Sequence, residues 1–249
     1  MVSGKYSALA GAVSREQAMA HTSANMANIN TVGYKKSMVS FESILRGERQ
    51  STLARGINYN RIKNNYTDFS AGPQRQTGNQ LDFAIHGDGF FKVQGPEGIL
   101  YTRRGDFHID EEGTLRTGNG FEVLDDGNSP IQIAGTGRAR ISSNTLGEIS
   151  VINEQGQRSV QGRLALVQIS DPKLLKRETD TTFSLGQNGS EEDVEEPRLE
   201  VGSLELANIN MAEEMTHMIN NLRTFETYHK VLKSYSTIGQ KQDELGTLG

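Results

Sequence analysis

The chain has 249 residues, with 26 Lys and Arg against 31 Asp and Glu, a formal net charge of −5, and neither Trp nor Cys. The mildly acidic, mixed surface this implies argues against a nucleic-acid-binding protein. The absence of Cys excludes a disulfide framework, a thiolate nucleophile and any Cys-ligated metal.

The N-terminal stretch "MVSGKYSALAGAVSREQ" is broken by Arg15 and Glu16 soon after Val13. It lacks the continuous apolar core of a cleavable secretory signal, and no apolar run in the chain is long enough to span a membrane. The spacing predicts a first helix over about 5–29, with Ser3 as its N-cap. Tyr6, Leu9, Val13, Ala20, Ala24 and Ala27 fall on one face. Many of this helix's residues are Ala or Gly, so it buries little area alone and needs partner helices to be stable.

That helix ends in "ANIN", residues 27–30, a tetrapeptide repeated at 207–210. Asn tolerates left-handed backbone and also caps helices, so it suits both an exit and an entry. Asn28 and Asn208 are therefore expected at neighbouring levels, where two arms join a helical pair. "TVGYKK" follows the first copy, and Gly33 is expected at the third position of a turn over Thr31–Tyr34 with positive φ. Residues 36–76 carry scattered apolar side chains without a strong period and read as an extended arm.

All five prolines lie between 73 and 197, and 17 of the 27 glycines lie between 78 and 189. This punctuation predicts an all-β middle of many short strands. Phe83, Ile85, Phe90, Phe91, Val93, Tyr101, Phe107, Ile109, Leu115, Phe121 and Val123 are its core candidates, with "IQI", "RARI", "EISVI" and "RLALVQI" as further strands.

The last helix is predicted over about 210–238, some 40 Å long at 1.5 Å per residue. Asn210 is its expected cap, with Glu213 three residues on, and Gly239 its expected stop. Met211, Met215, Met218, Leu222, Phe225, His229 and Leu232 recur in 4-3 steps, which reads as a heptad seam. The predicted fold class is thus α+β. Terminal helices (1–31 and 209–249) form a coiled-coil-like domain, extended arms span 32–75 and 186–208, and an all-β domain spans 76–185.

Catalytic patterns are missing. The five histidines have no metal-ligand spacing, and there is no Walker A, G-x-S-x-G or H-E-x-x-H motif. "GDG" and "DEEG" read as acidic turns rather than calcium loops. "GTGRAR" is followed by β pattern, not by the helix that a phosphate fingerprint needs. No catalytic residue, metal ligand or cofactor is predicted.

Three blocks carry a family resemblance. "ANMANINTVGYKK" resembles the N-terminal signature of flagellar basal-body rod and hook proteins. "TGNQLDFAIHGDGFFKV" with "YTRRGDFHIDEEGTLRTGNGFEVL" is similar to the central domain of the rod branch, and "GSLELANINMAEEMTHMINNLRTFETYHKVLKS" to the C-terminal signature. Ala207 departs from the usual Ser. Within the family the likeness is greatest to proximal-rod members, with distal-rod members as the close competitor.

The resemblance implies a structural, non-enzymatic rod subunit of the bacterial flagellum. It would leave through the flagellar type III export apparatus without a cleaved signal and polymerise helically with other rod subunits in the periplasm. The residues it implies for assembly are Asn25, Ala27, Asn28, Thr31, Gly33, Tyr34 and Lys35 at one end. At the other they are Gly202, Leu204, Glu205, Asn208, Glu214, Met215, Met218, Leu222, Arg223, Phe225 and Leu232. The alternatives are a carbohydrate-binding protein or enzyme with a β domain, or a hook-cap or export-regulating factor of the same system.

Overall fold

The structure is a computed structural model, and it describes residues 2–46, 57–133, 140–153, 156–194 and 197–246. "GTGRAR" lies mostly outside the described residues, as does part of the acidic "EEDVEEP" segment. The chain divides into two compact units: residues 1–27, 37–68 and 209–249 form one, and 28–36 with 69–208 form the other.

The first unit holds two helices and a hairpin. Helix α1 spans Val2–Ala27, so Ser3 lies inside it rather than at its cap. Strand β1 (Ser37–Arg46) pairs antiparallel with β2 (Ile57–Thr67), from Ser37 opposite Thr67 to Arg46 opposite Ile57. These are the longest strands of the described residues, in a stretch whose sequence shows no strong period. Arg15 of α1 lies over the Phe41 ring at 4.5 Å. Helix α2 spans Met211–Gly246, about 54 Å at 1.5 Å per residue. Asn210 caps it as expected, its Oδ1 accepting from the Ala212 amide at 3.0 Å. Gly239 does not stop it. Glycine inside a helix costs only about 1 kcal/mol relative to alanine, which a helix of this length absorbs.

The two helices run antiparallel. Gly4 faces Tyr235, Gly11 faces Tyr228, Arg15 donates to Asn221 at 3.2 Å and Asn25 to Glu214 at 3.3 Å. The buried face of α1 consists of small side chains, among them Ala8, Ala12, Ser14, Ala18 and Thr22. The apolar face that the sequence marks out is turned outward, with Tyr6 62%, Leu9 48% and Val13 44% exposed. On α2, Met211, Met215, Leu222 and His229 are likewise exposed, whereas Met218, Phe225 and Leu232 are half-buried.

The coiled-coil-like domain is therefore not supported, and the α+β reading built on it is corrected. The chain is mostly antiparallel β with one helix near each end. The physical reason lies in α1. Knobs-into-holes packing needs large apolar residues at matching positions on both helices. Where α2 meets it, α1 offers Gly and Ala, and the rings of Tyr235 and Tyr228 occupy the space a Cβ at Gly4 and Gly11 would need.

Among its described residues the second unit has only antiparallel strand pairings, with one short 3₁₀ helix at Pro172–Leu174. Its largest sheet has nine strands, and a separate three-stranded sheet joins Arg140–Ser143, Glu148–Ile152 and Arg158–Arg163. The main core gathers Phe83, Phe91, Val93, Leu115, Val123, Ile131, Ile149 and Leu164. A second cluster gathers Phe90, Tyr101, Val167, Ile169 and Phe183, with Phe69 packed edge-on against Phe90 and Phe183. Of the core candidates above, only Ile109 and Phe121 are partly exposed. "IQI" makes one isolated bridge, Gln132 with Thr114, rather than a strand. Near the end of this unit, Leu199–Val201 pairs with Phe83–Ile85 and Ser203–Glu205 with Gln74–Gln76. Those two short ladders seat the C-terminal signature.

Candidate assembly site

The second unit brings the segment that follows the first ANIN copy against the segment that ends in the second, through Gly33 and Lys35 on Glu205 and Lys36 on Asn208. The turn over Thr31–Tyr34 closes through the Tyr34 amide on the Thr31 carbonyl at 3.3 Å. Gly33 stands at its third position with φ +68°. A Cβ there would lie 2.6 Å from the Arg103 carbonyl carbon, so both conformation and space require glycine. The freed Gly33 amide donates to the Glu205 carbonyl at 2.8 Å.

Two residues on, Lys35 is fully buried. Its Nζ donates to Glu205 Oε1 at 2.6 Å and to the Ser70 carbonyl at 2.7 Å. Glu205 is 2% exposed; it also accepts from the Gly72 amide at 2.8 Å and from Arg103 at 3.5 Å. Burying an ion pair is costly unless further hydrogen bonds satisfy both ions, and the backbone groups of residues 70 and 72 supply them. Arg103 is itself 3% exposed and lies over the Phe90 ring at 5.2 Å. Burial draws its pKa below that of a free guanidinium, against the pull of Glu205 and Asp88.

Asn208 completes the junction. Its Oδ1 accepts from the Lys36 amide at 2.7 Å, and its Nδ2 donates to the Ser70 carbonyl and hydroxyl. Asn28 acts locally: its carbonyl accepts from the Thr31 amide at 3.0 Å and its Oδ1 from the Thr31 hydroxyl at 2.9 Å. Tyr34 is buried beneath the Arg177 guanidinium, 4.9 Å from its ring, and Arg177 donates to the Lys35 carbonyl. Leu204 is buried; Gly202 takes φ +75°, its carbonyl accepting from the Thr77 and Gly78 amides.

In the first unit, Asn25 reads the backbone of Ser37 as a neighbouring strand would. Its Oδ1 accepts from the Ser37 amide and its Nδ2 donates to the Ser37 carbonyl, each at 2.9 Å. Glu214 is buried and takes a bond from the same Asn25 amide at 3.3 Å. Ala27, Arg223, Met215 and Leu222 are exposed.

The sequence-predicted residues thus fall into several sets, with Asn25 and Glu214 paired in the first unit. Gly33, Tyr34, Lys35, Leu204, Glu205 and Asn208 form one interior polar junction. Met215 and Leu222 lie on the outer face of α2. Sequence reasoning missed Arg103, Arg177, Ser70 and Gly72, and also the outward face of α1. A signal existed for the arginine: a buried glutamate in an apolar strand needs cationic partners, and "YTRRG" places Arg103 at the end of a strand.

Two family models match the chain. The model described as the flagellar hook protein FlgE/F/G D1 domain covers residues 84–157, and that described as the flagellar basal body rod FlgEFG protein C-terminal covers residues 200–245. The chain is 30% identical over 258 residues to the flagellar basal-body rod protein FlgF of Rhizobium meliloti, across 100% of this chain and 99% of that one. It belongs to the flagellar basal-body rod protein family. It is similar as well to FlgF of Caulobacter vibrioides, at 30% over 88% of each chain. FlgG of Bacillus subtilis is similar at 29% over 97% of this chain and 98% of its own. Family membership therefore holds at the level of FlgF or FlgG. The C-terminal rod model takes in Glu205, Asn208 and nearly all of α2, and the D1 model takes in Arg103. The Gly33–Lys35 segment lies outside both, yet it is what Glu205 binds.

Proposed function

We propose that the chain is a structural subunit of the bacterial flagellar basal-body rod that polymerises through its terminal helices and transmits torque. It is a structural protein and not an enzyme, it belongs to the basal body, and it assembles with other rod or hook subunits. No helix among the described residues is long and apolar enough to cross a membrane. The readings as a carbohydrate-binding protein, an enzyme or an export-regulating factor draw no support from the relatives.

The observation that carries the reading is the outward apolar face on each helix. Tyr6, Leu9 and Val13 of α1 and Met211, Met215, Ile219 and Leu222 of α2 stand 39–62% exposed. Such faces on a chain of net charge −5 mark surfaces that another chain covers. Heterologous contacts that do not close produce helical filaments. In this reading Met215, Leu222 and Arg223 touch neighbouring subunits. The interior junction of Lys35, Glu205 and Asn208 holds the two signature segments in the shape that assembly needs. The division into terminal helices, connecting arms and a β domain is the division of labour we propose. Passage through the flagellar export apparatus to a periplasmic rod completes the proposal. Tagging the chain and locating the tag in purified basal bodies tests it. Label along the rod is expected, and absence of the chain from intact basal bodies would refute the reading.

A further inference from the structure

In the second unit a cavity of about 240 Å³ opens beside the interior junction. Its apolar walls are Phe69, Phe90 and Ile169, and Arg103 lines it from within. Arg103 is 3% exposed, and its Nε has no hydrogen-bond partner among the described residues. A buried N–H of a charged group without an acceptor is rare, because that donor has given up water without a hydrogen bond in return. Arg103 reaches Glu205 only through Nη1, 3.5 Å from Oε2, while Lys35 and the Gly72 amide hold Oε1, so Nε is left without the carboxylate. The opposite charge, Asp88, lines the same cavity.

We propose that this cavity is a socket for the side-chain amide of an Asn or Gln presented by a neighbouring rod subunit. This rests on the reading of the chain as a rod subunit. The chemistry selects the occupant. An incoming carboxylate meets Asp88, an incoming ammonium meets Arg103, and a purely apolar side chain leaves the Arg103 donor unmet. An amide carries an acceptor for Arg103 and a donor for Asp88 on adjacent atoms. The cavity is smaller than the ~300–1,000 Å³ of small-molecule sites and fits one side chain between aromatic walls. Gln168 and Ser170 stand exposed at its lining, so the occupant enters from outside the unit.

The absence of cysteine allows a direct test. Ser170→Cys places a single thiol at the lining, to be modified with a maleimide in the isolated chain and in purified basal bodies. The socket predicts modification at least tenfold slower in basal bodies. A photo-crosslinking residue at position 168 is expected to capture a peptide in which the modified residue is, or adjoins, Asn or Gln. Gln168→Trp, which fills the opening from the surface, is expected to abolish swimming while the circular dichroism of the isolated chain is unchanged. Equal thiol reactivity in both states, capture on an acidic or apolar segment, or normal swimming with Gln168→Trp each overturns the socket and leaves the rod reading intact. Absence of the unmodified chain from basal bodies overturns both.

Discussion

Replacing Glu205 with Gln tests whether the interior junction holds the second unit together. The substitution keeps shape and an acceptor oxygen but removes the charge facing Lys35 at 2.6 Å. Lys35 is fully buried, so its ammonium would lose the carboxylate it faces without gaining water in its place. Breaking one side of a buried pair costs about 3–5 kcal/mol, and because Gln still accepts, the lower end applies. With a urea m-value of roughly 2–3 kcal/mol/M, a loss of about 3 kcal/mol moves the midpoint down by about 1–1.5 M. Lys35→Met should cost a similar amount, since Glu205 then relies on the Gly72 amide and the 3.5 Å contact with Arg103. The double variant Lys35→Met/Glu205→Gln should cost well under the sum of the two single variants, with a coupling of about 2–3 kcal/mol. Urea unfolding of the whole chain by far-ultraviolet circular dichroism measures all three. Native-state hydrogen exchange of the Gly72 amide reports on the junction locally. Single costs below about 1 kcal/mol, as for an exposed ion pair, would refute the reasoning. So would additivity within about 0.5 kcal/mol.

Gly11→Leu drives a side chain into the Tyr228 ring, which a bare Cβ at that position already overlaps. Overpacking of this kind costs about 1–3 kcal/mol, and Tyr228→Ala in the same chain should recover most of it, read by thermal melting. Leu222→Asp puts a charge on a side chain 46% exposed in the single chain. Its unfolding midpoint should stay within about 0.5 kcal/mol of the parent while swimming on soft agar is lost; normal swimming would mean that no neighbour covers this face. Asp110 has its pKa drawn below the ordinary 3.8, first by the Arg116 guanidinium at 2.5 Å and then by the Thr114 amide. A depressed folded-state pKa means stability that is complete above about pH 4 and is lost as pH falls through the lower folded value. Asp110→Asn should therefore flatten the acid side of the stability curve below about pH 4, measured by urea midpoints at pH 5 and pH 3.

The sequence by itself determined the order of the elements and much of what each would bury. Short apolar runs punctuated by glycines located the β core from Phe83 to Val123, because turn chemistry is a local property of the chain. The cap at Asn210 and the turn at Gly33 were legible for the same reason: each is decided within four residues. Tertiary structure alone decided which face of each helix points inward. The apolar stripe Tyr6–Leu9–Val13 and the heptad of α2 both read as interior, because periodicity marks a face without naming what covers it. In this chain close approach of two backbones won. Gly4 and Gly11 admit the rings of Tyr235 and Tyr228, and the larger side chains are left outside. The β1–β2 hairpin was hidden in the same way, since its pairing joins residues up to 30 apart, from Ser37 to Thr67, and no short-range pattern encodes that register. The buried pair of Lys35 and Glu205 lies 170 residues apart in the chain. Each residue alone reads as a surface charge, and only the fold, by excluding water from both, makes them each other's partner.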